Sequence, residues 1–168
     1  MKTKIPVLDD VARLVAVTTA RNDIAESAKV LDDIIQARFG HKLFTILSVV
    51  EDGIAVERLY SSDSVTYPPG GRKKREDTVW GKVVYGEGNV LVSSNGDDIR
   101  VNFPDYEVIF GLGIASMINI PVVWDGKVIG SANVSHEAAG YFVEGDAEYL
   151  RMLVGIVAPV IAVIFDQE

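Results

Sequence analysis

The chain has 168 residues, 48% of them hydrophobic, a formal net charge of −8 and no cysteine. That composition supports one domain with a real core and excludes disorder. It also lacks the broad basic surface of a nucleic-acid binder, and every chemistry that needs a thiol or a disulfide.

The N-terminal "MKTKIPVLDD" has no apolar signal-peptide core. Val11, Leu14, Val15 and Thr18 then follow the i, i+3, i+4 rhythm of an amphipathic helix. "ARND" interrupts it, and Asn22 is the expected N-cap of a second helix that buries Leu31, Ile34 and Ile35 and stops at Gly40. "KLFTILSVV" and "GIAVERLYSS", separated by Glu51, Asp52 and Gly53, read as an antiparallel hairpin. The segment from Asp63 to Asp77 reads as a loop. It holds "PPGGRKKR", four consecutive cations in an acidic protein. "TVWGKVVYGEG" predicts a short helix capped by the Thr78 hydroxyl, "NVLVSS" a short strand, and "NFPDYEVIFGLG" a short helix between Pro104 and Gly111.

Asp125-Gly126 between two apolar runs is a strong hairpin signal. A long terminal helix follows, with Pro159 expected to bend it. Its run from Met152 to Phe165 is fourteen residues, shorter than a bilayer span, so a buried core helix is expected rather than a membrane segment. The order of elements is that of an α+β domain with an antiparallel sheet covered on both faces. We expect a cytoplasmic protein with neither nucleic-acid nor membrane partners.

"SMINIPVVWDGKVIGSANVSH" followed by "YFVEGDAEYLRMLVGIVAPVIAVI" resembles the C-terminal half of a GAF domain. The matching residues are Ser116, Pro121, Gly126, Val128 to Gly130, Phe142, Asp146 and the helix after it. The paired N-terminal helices extend the resemblance over nearly the whole chain, residues 1–168 as one GAF-like domain. It implies a GAF/PAS-like, roughly six-stranded antiparallel sheet. Terminal helices that often dimerise would cover one face. Loops and short helices would enclose a ligand pocket on the other. It further implies a small-molecule-binding, sensory role, here as a stand-alone domain. The cysteines that attach bilins in phytochrome-type members, or that act in the free-methionine-sulfoxide reductase branch, are absent. So is the Asn-Lys-Phe-Asp-Glu motif of the cyclic-nucleotide binders.

Counting outward from the Asp125-Gly126 turn pairs Trp124 with Lys127, Ile120 with Ser131, Ile118 with Asn133 and Ser116 with Ser135. These alternating residues would share one face, a mostly apolar surface with a few polar groups that suits either a ligand pocket or a hydrogen-bonded core. Asn119 would lie on the opposite face, beneath the terminal helices. Trp80, Tyr85, Tyr106 and Phe110 fall in the two short middle helices, where they either line a ligand or pack the lid. Arg72 follows Gly70 and Gly71 and is the cation expected to turn inward to an anionic ligand; the alternative is a solvated loop, part-paired with Glu76 and Asp77. His136 and Glu137 are the weak catalytic candidates. With His41 far away in sequence they make no metal set, and no metal or cofactor is expected. Three functions are open: binding a small, anionic metabolite; an enzyme working through His136 and Glu137; or a dimerisation module with a vestigial pocket. The dense apolar residues of the last helix predict a homodimer through the terminal helices.

Overall fold

The computed structural model describes residues 7–75 and 78–167. Helix α1 (Val7–Ala20) and helix α2 (Ile24–Phe39) form where the periodicity puts them. The N-cap of α2 is Asp23, one residue beyond the expected Asn22. Its backbone is extended and its carboxylate accepts from the N–H groups of Ala25 and Glu26 at 2.9 and 3.2 Å. Gly40 ends the helix at φ 63°, a left-handed position that glycine takes without a Cβ clash.

Strands β1 (Leu43–Val50) and β2 (Ala55–Ser61) make the expected hairpin. Strand β3 (Arg72–Lys74) pairs with β2, β4 is Leu91–Ser93, and β5 (Ser116–Trp124) and β6 (Lys127–His136) form the second hairpin. The six strands are antiparallel in the order β3-β2-β1-β6-β5-β4. Helices α3 (Gly96–Asn102), α4 (Tyr106–Gly111) and a π-helical turn (Gly81–Gly86) occupy the middle of the chain. Helix α5 (Asp146–Phe165) closes it. The fold is therefore α+β, as expected.

Two elements were not legible in the sequence. The cation run is not loop but edge strand β3; at three residues it is too short to show an alternating pattern. Its charges suit an edge, because they oppose pairing with another chain. Helix α3 was also missed. Asn95 caps it by accepting from Asp97 and Asp98 N–H.

The sheet divides two cores. On one face α1, α2 and α5 bury a cluster that includes Leu14, Ile34, Phe44, Ile120, Leu150 and Leu153. On the other, the middle segments pack Trp80, Val84, Ile99, Phe103 and Ile109 against Leu43, Leu47 and Met117. Strand β1 is central and buried along its whole length.

Helix α5 has twenty residues and mean hydropathy 1.9, long and apolar enough on composition alone to cross a membrane. Here it is the core helix on β5, with Leu150, Leu153, Val157 and Ile161 enclosed. It runs through Pro159, which lies with Gly155 on the exposed side, where solvent can serve the carbonyl that proline leaves unpaired.

Candidate functional site

Two β-bulges decide which side chains face the middle segments. In the β5–β6 hairpin, Trp124 pairs with Lys127 and Val123 with Val128 as counted from the turn, but Val122 then pairs with Gly130. Ile129 is the extra residue, and it packs into the helix-side core. Every pair beyond it slips by one: Asn119 faces Asn133, Ile118 faces Val134 and Ser116 faces His136. The expected face is thereby corrected. Ser131, Asn133 and Ser135 stay together with Met117 and Asn119, whereas Ser116, Ile118 and Ile120 turn toward the helices with Ala132, Val134 and His136. Asn119, expected beneath the helices, belongs to the opposite side. A second bulge between Ile46 and Leu47 makes Leu59 the extra residue of β2. It puts Arg58 beside Leu47, on the same face as Thr45.

These shifts build the floor of a cavity of about 330 Å³. Thr45, Asn133 and Asn119 lie in a row across three strands. Asn119 Nδ2 donates to Asn133 Oδ1 at 2.8 Å, and Asn133 Nδ2 to Thr45 Oγ1 at 3.1 Å. Leu43, Leu47 and Met117 surround this row with apolar surface. The roof is Trp80, Phe103, Pro104, Ile109 and Ile114; Tyr67, Lys73 and Lys74 complete the wall. Trp80 is fixed edge-on against Tyr85 at 5.1 Å, and Tyr85 is fixed to the sheet by a 2.7 Å hydrogen bond with Ser131. The turn that carries them starts where Thr78 Oγ1 accepts from Gly81 N–H at 2.9 Å, the cap read in the sequence. A Cβ at Gly81 would stand 2.2 Å from the Arg75 carbonyl oxygen, so the turn tolerates only glycine there.

The cavity carries charge. Arg58 is only 6% exposed, yet no carboxylate pairs with it among the described residues. Its Nη1 donates to the Pro68 carbonyl at 3.1 Å, and its guanidinium lies 4.9 Å from the centre of the Tyr67 ring. Burial lowers its pKa, against the opposing pull of Tyr67 and Asp105. Asp105 sits on the same wall, where its Oδ2 accepts from Lys73 Nζ at 2.7 Å and from the Tyr67 hydroxyl at 3.0 Å. Burial works against the Asp105 charge, but Lys73 and Tyr67 outweigh it and hold the carboxyl below its ordinary range. Among the described residues, four buried polar atoms of the cavity lining have no partner: Arg58 Nε, Trp80 Nε1, Asp105 Oδ1 and Asn119 Oδ1.

Of the residues singled out in the sequence, Trp80 and Asn133 line the cavity. Tyr85 stands behind Trp80, and Ser135 bonds the Leu43 carbonyl at 3.2 Å. Tyr106 and Phe110 pack against one another and on the core beside the cavity, at 5.8 Å between rings. Ser116 donates to the Ala138 carbonyl at 2.7 Å, and Ile118 and Ile120 fill the helix-side core. Arg72 lies outside the cavity with its side chain 45% exposed, bonded to Glu51 at 2.7 Å and Glu57 at 2.9 Å. The expected pairing with Glu76 and Asp77 falls outside the described residues. His136 stacks on Tyr141 at 3.4 Å and accepts from Ala138 N–H, while Glu137 pairs with Lys42 at 3.6 Å. Neither reaches the cavity.

In the sequence Arg58 is overshadowed by the run of four cations that follows it. The available signal was a single arginine inside an apolar strand, in "AVERLYS". Its neighbours also explain the glycines before the run. Gly70 N–H donates to the Arg58 carbonyl, Arg58 N–H to the Gly71 carbonyl, and a Cβ at Gly71 would approach Arg58 Nη1 to 2.8 Å.

A six-stranded antiparallel sheet, helical on one side and enclosing a polar-floored cavity on the other, defines a GAF/PAS-like domain. The chain belongs to the GAF domain family, whose profile matches residues 28–161. Among solved structures it is similar to the GAF domain of an Acinetobacter phosphoenolpyruvate-protein phosphotransferase, with TM-score 0.78, 17% identity, and 96% and 95% of the two chains covered. It is also similar to the free methionine-R-sulfoxide reductase of Neisseria meningitidis, solved with its substrate (TM-score 0.74, 18% identity, 100% and 97% covered). A third is the GAF domain of a two-component sensor histidine kinase from Bacillus halodurans (TM-score 0.72, 13% identity, 86% and 97% covered). At these identities the likeness is one of fold. No curated protein matches the chain significantly by sequence.

Proposed function

We propose that this protein is a sensory or regulatory domain that binds a small, anionic metabolite without covalent attachment, in the cavity between the sheet and the middle segments. The observation that carries this reading is the set of four buried polar atoms around the cavity that have no partner among the described residues. A buried donor or acceptor left unpaired costs roughly 1–3 kcal/mol, so four around one apolar space favour a ligand that completes them. A filled, vestigial pocket would have its polar atoms paired within the protein. Binding is favoured over catalysis because His136 and Glu137 lie away from the cavity. Native mass spectrometry of freshly purified protein should find a bound small molecule, or a thermal-shift screen of organic acids should find stabilisers. A protein that neither carries nor gains a ligand would defeat the reading.

The same reading includes a cytoplasmic homodimer. Leu8 of α1 is 76% exposed, and Val15, Met152 and Val163 also show large apolar surface on the terminal helices. A twofold partner presenting the same helices would cover them. Sedimentation equilibrium should give a dimer, and Leu8→Glu together with Val163→Glu should give a monomer; a wild-type monomer at micromolar concentration would reject it.

A further inference from the structure

We infer that the ligand is a compact monocarboxylate with an apolar body, held side-on by Arg58. This deepens the binding reading above and rests on it. The inference starts from how Arg58 is used. Its Nη1 is taken by the Pro68 carbonyl, and its buried Nε has no partner. The remaining edge of the guanidinium, Nε with Nη2, presents two parallel N–H donors, the geometry that matches a carboxylate. The neighbouring Arg72 uses this same edge on a carboxylate: its Nε and Nη2 both meet Glu57 Oε2, at 2.9 and 2.7 Å. Arg58 has the same fork with no carboxylate against it among the described residues, and it is nine-tenths buried on the wall of a cavity.

Charge limits the ligand to one negative group. Lys73 on this wall is already engaged by Asp105, and the buried Asp105 Oδ1 repels a second negative charge. Lys74 is exposed. A phosphate dianion would therefore find one buried guanidinium without a carboxylate, the Lys73–Asp105 pair beside it, and Lys74 only in its exposed position. Size limits the body. A cavity of about 330 Å³ lies at the low end of the roughly 300–1,000 Å³ range of ligand pockets, which favours a small body. The walls that remain are Leu43, Leu47, Phe103, Ile109, Ile114 and Met117, which favour an alkyl or phenyl body.

Thermal shift and calorimetry with hexanoate, isovalerate, leucine, benzoate and phenylacetate, beside their carboxamides and inorganic phosphate, test this on the full chain. The expected result is stabilisation by one or more acids, with the matching amide at least about tenfold weaker, as loss of a charge-assisted hydrogen bond requires. Phosphate should have no effect. Arg58→Gln should lose the acid's effect, and Arg72→Ala should keep it. The acid–amide comparison needs only the wild-type protein, so it holds even where Arg58→Gln folds poorly. Acid and amide binding equally, phosphate binding in their place, or a folded Arg58→Gln that binds the acid unchanged would overturn the carboxylate and leave the binding reading standing. A panel silent in every arm removes both.

Discussion

The two faces of the sheet solve the same problem differently. Beneath the terminal helices, buried acids are tied to partners from separate elements. Asp10 of α1 accepts from Arg38 of α2 and Tyr149 of α5, at 3.1 and 2.7 Å. Asp32 of α2 meets His41 at 2.5 Å and Tyr60 of β2 at 2.6 Å. These bonds clamp three helices and the sheet into one body. On the other face the polar groups form a row along the sheet, Thr45-Asn133-Asn119, and the row ends with an amide oxygen that no group among the described residues meets. The cavity face leaves more hydrogen-bonding capacity over: among the described residues Ser27 Oγ and His41 Nδ1 lack a partner beneath the helices, whereas Arg58 Nε, Trp80 Nε1, Asp105 Oδ1 and Asn119 Oδ1 lack one around a single open space.

The largest effect should come from shifting the register that separates the faces. Inserting one residue after Gly130 would bring Ser131 opposite Ile120 and turn Ser131, Asn133 and Ser135 toward the helices, because a one-residue slip exchanges the two sides of a strand. We expect loss of cooperative folding by circular dichroism and urea titration. An insertion variant with wild-type stability would show that the register beyond the bulge does not set the faces.

Truncating the two cores compares them directly. Leu153→Ala, in the fully enclosed helix side, should cost about 3–5 kcal/mol, while Met117→Ala, on the cavity floor, should cost about 2–3 kcal/mol because its neighbours already border open space. Urea unfolding at neutral pH measures both. Equal losses would contradict the view that the cavity face is the looser one.

Acid should weaken both faces through one carboxylate each. Burial opposes the charge of Asp32, but the hydrogen bonds from His41 and Tyr60 hold its carboxyl below the ordinary range, as Lys73 and Tyr67 do for Asp105. A carboxyl lowered in the folded state adds stability that is fully present above its unfolded pKa and is lost as pH falls through the folded one. Asp32→Asn and Asp105→Asn should each flatten the stability profile as pH falls below about 4, the ordinary carboxyl range. Unchanged profiles in urea titrations below about pH 4 would show that the two acids are not so held.

The smallest effect belongs to the cation run. Arg72→Ala breaks exposed ion pairs with Glu51 and Glu57, and exposed pairs contribute little. The melting temperature should stay within experimental scatter of wild type. A large drop would show that β3 depends on these pairs, and that the edge of the sheet is less independent of its charges than its backbone pairing with β2 implies.

What the sequence determined by itself was local. Gly40, the Asp125-Gly126 turn, the Thr78 cap and the periodicity of α1 and α2 each act within a few residues, so their patterns named the elements and, in order, the family. The short α3 and β3 lacked enough residues to display a period. The faces of β2 and β6 were decided only in three dimensions, because a bulge forms where pairing across strands and packing on both sides can accept an extra residue. Nothing in "DGKVIGSANVSH" marks Ile129 as that residue; its packing among the helices does. For the same reason the four adjacent cations drew the eye to Arg72, while the buried cation of the cavity is Arg58. Charge in a run advertises itself along the chain, but its role depends on what stands opposite. Only the folded sheet places Glu57 against Arg72 and leaves Arg58 facing the cavity.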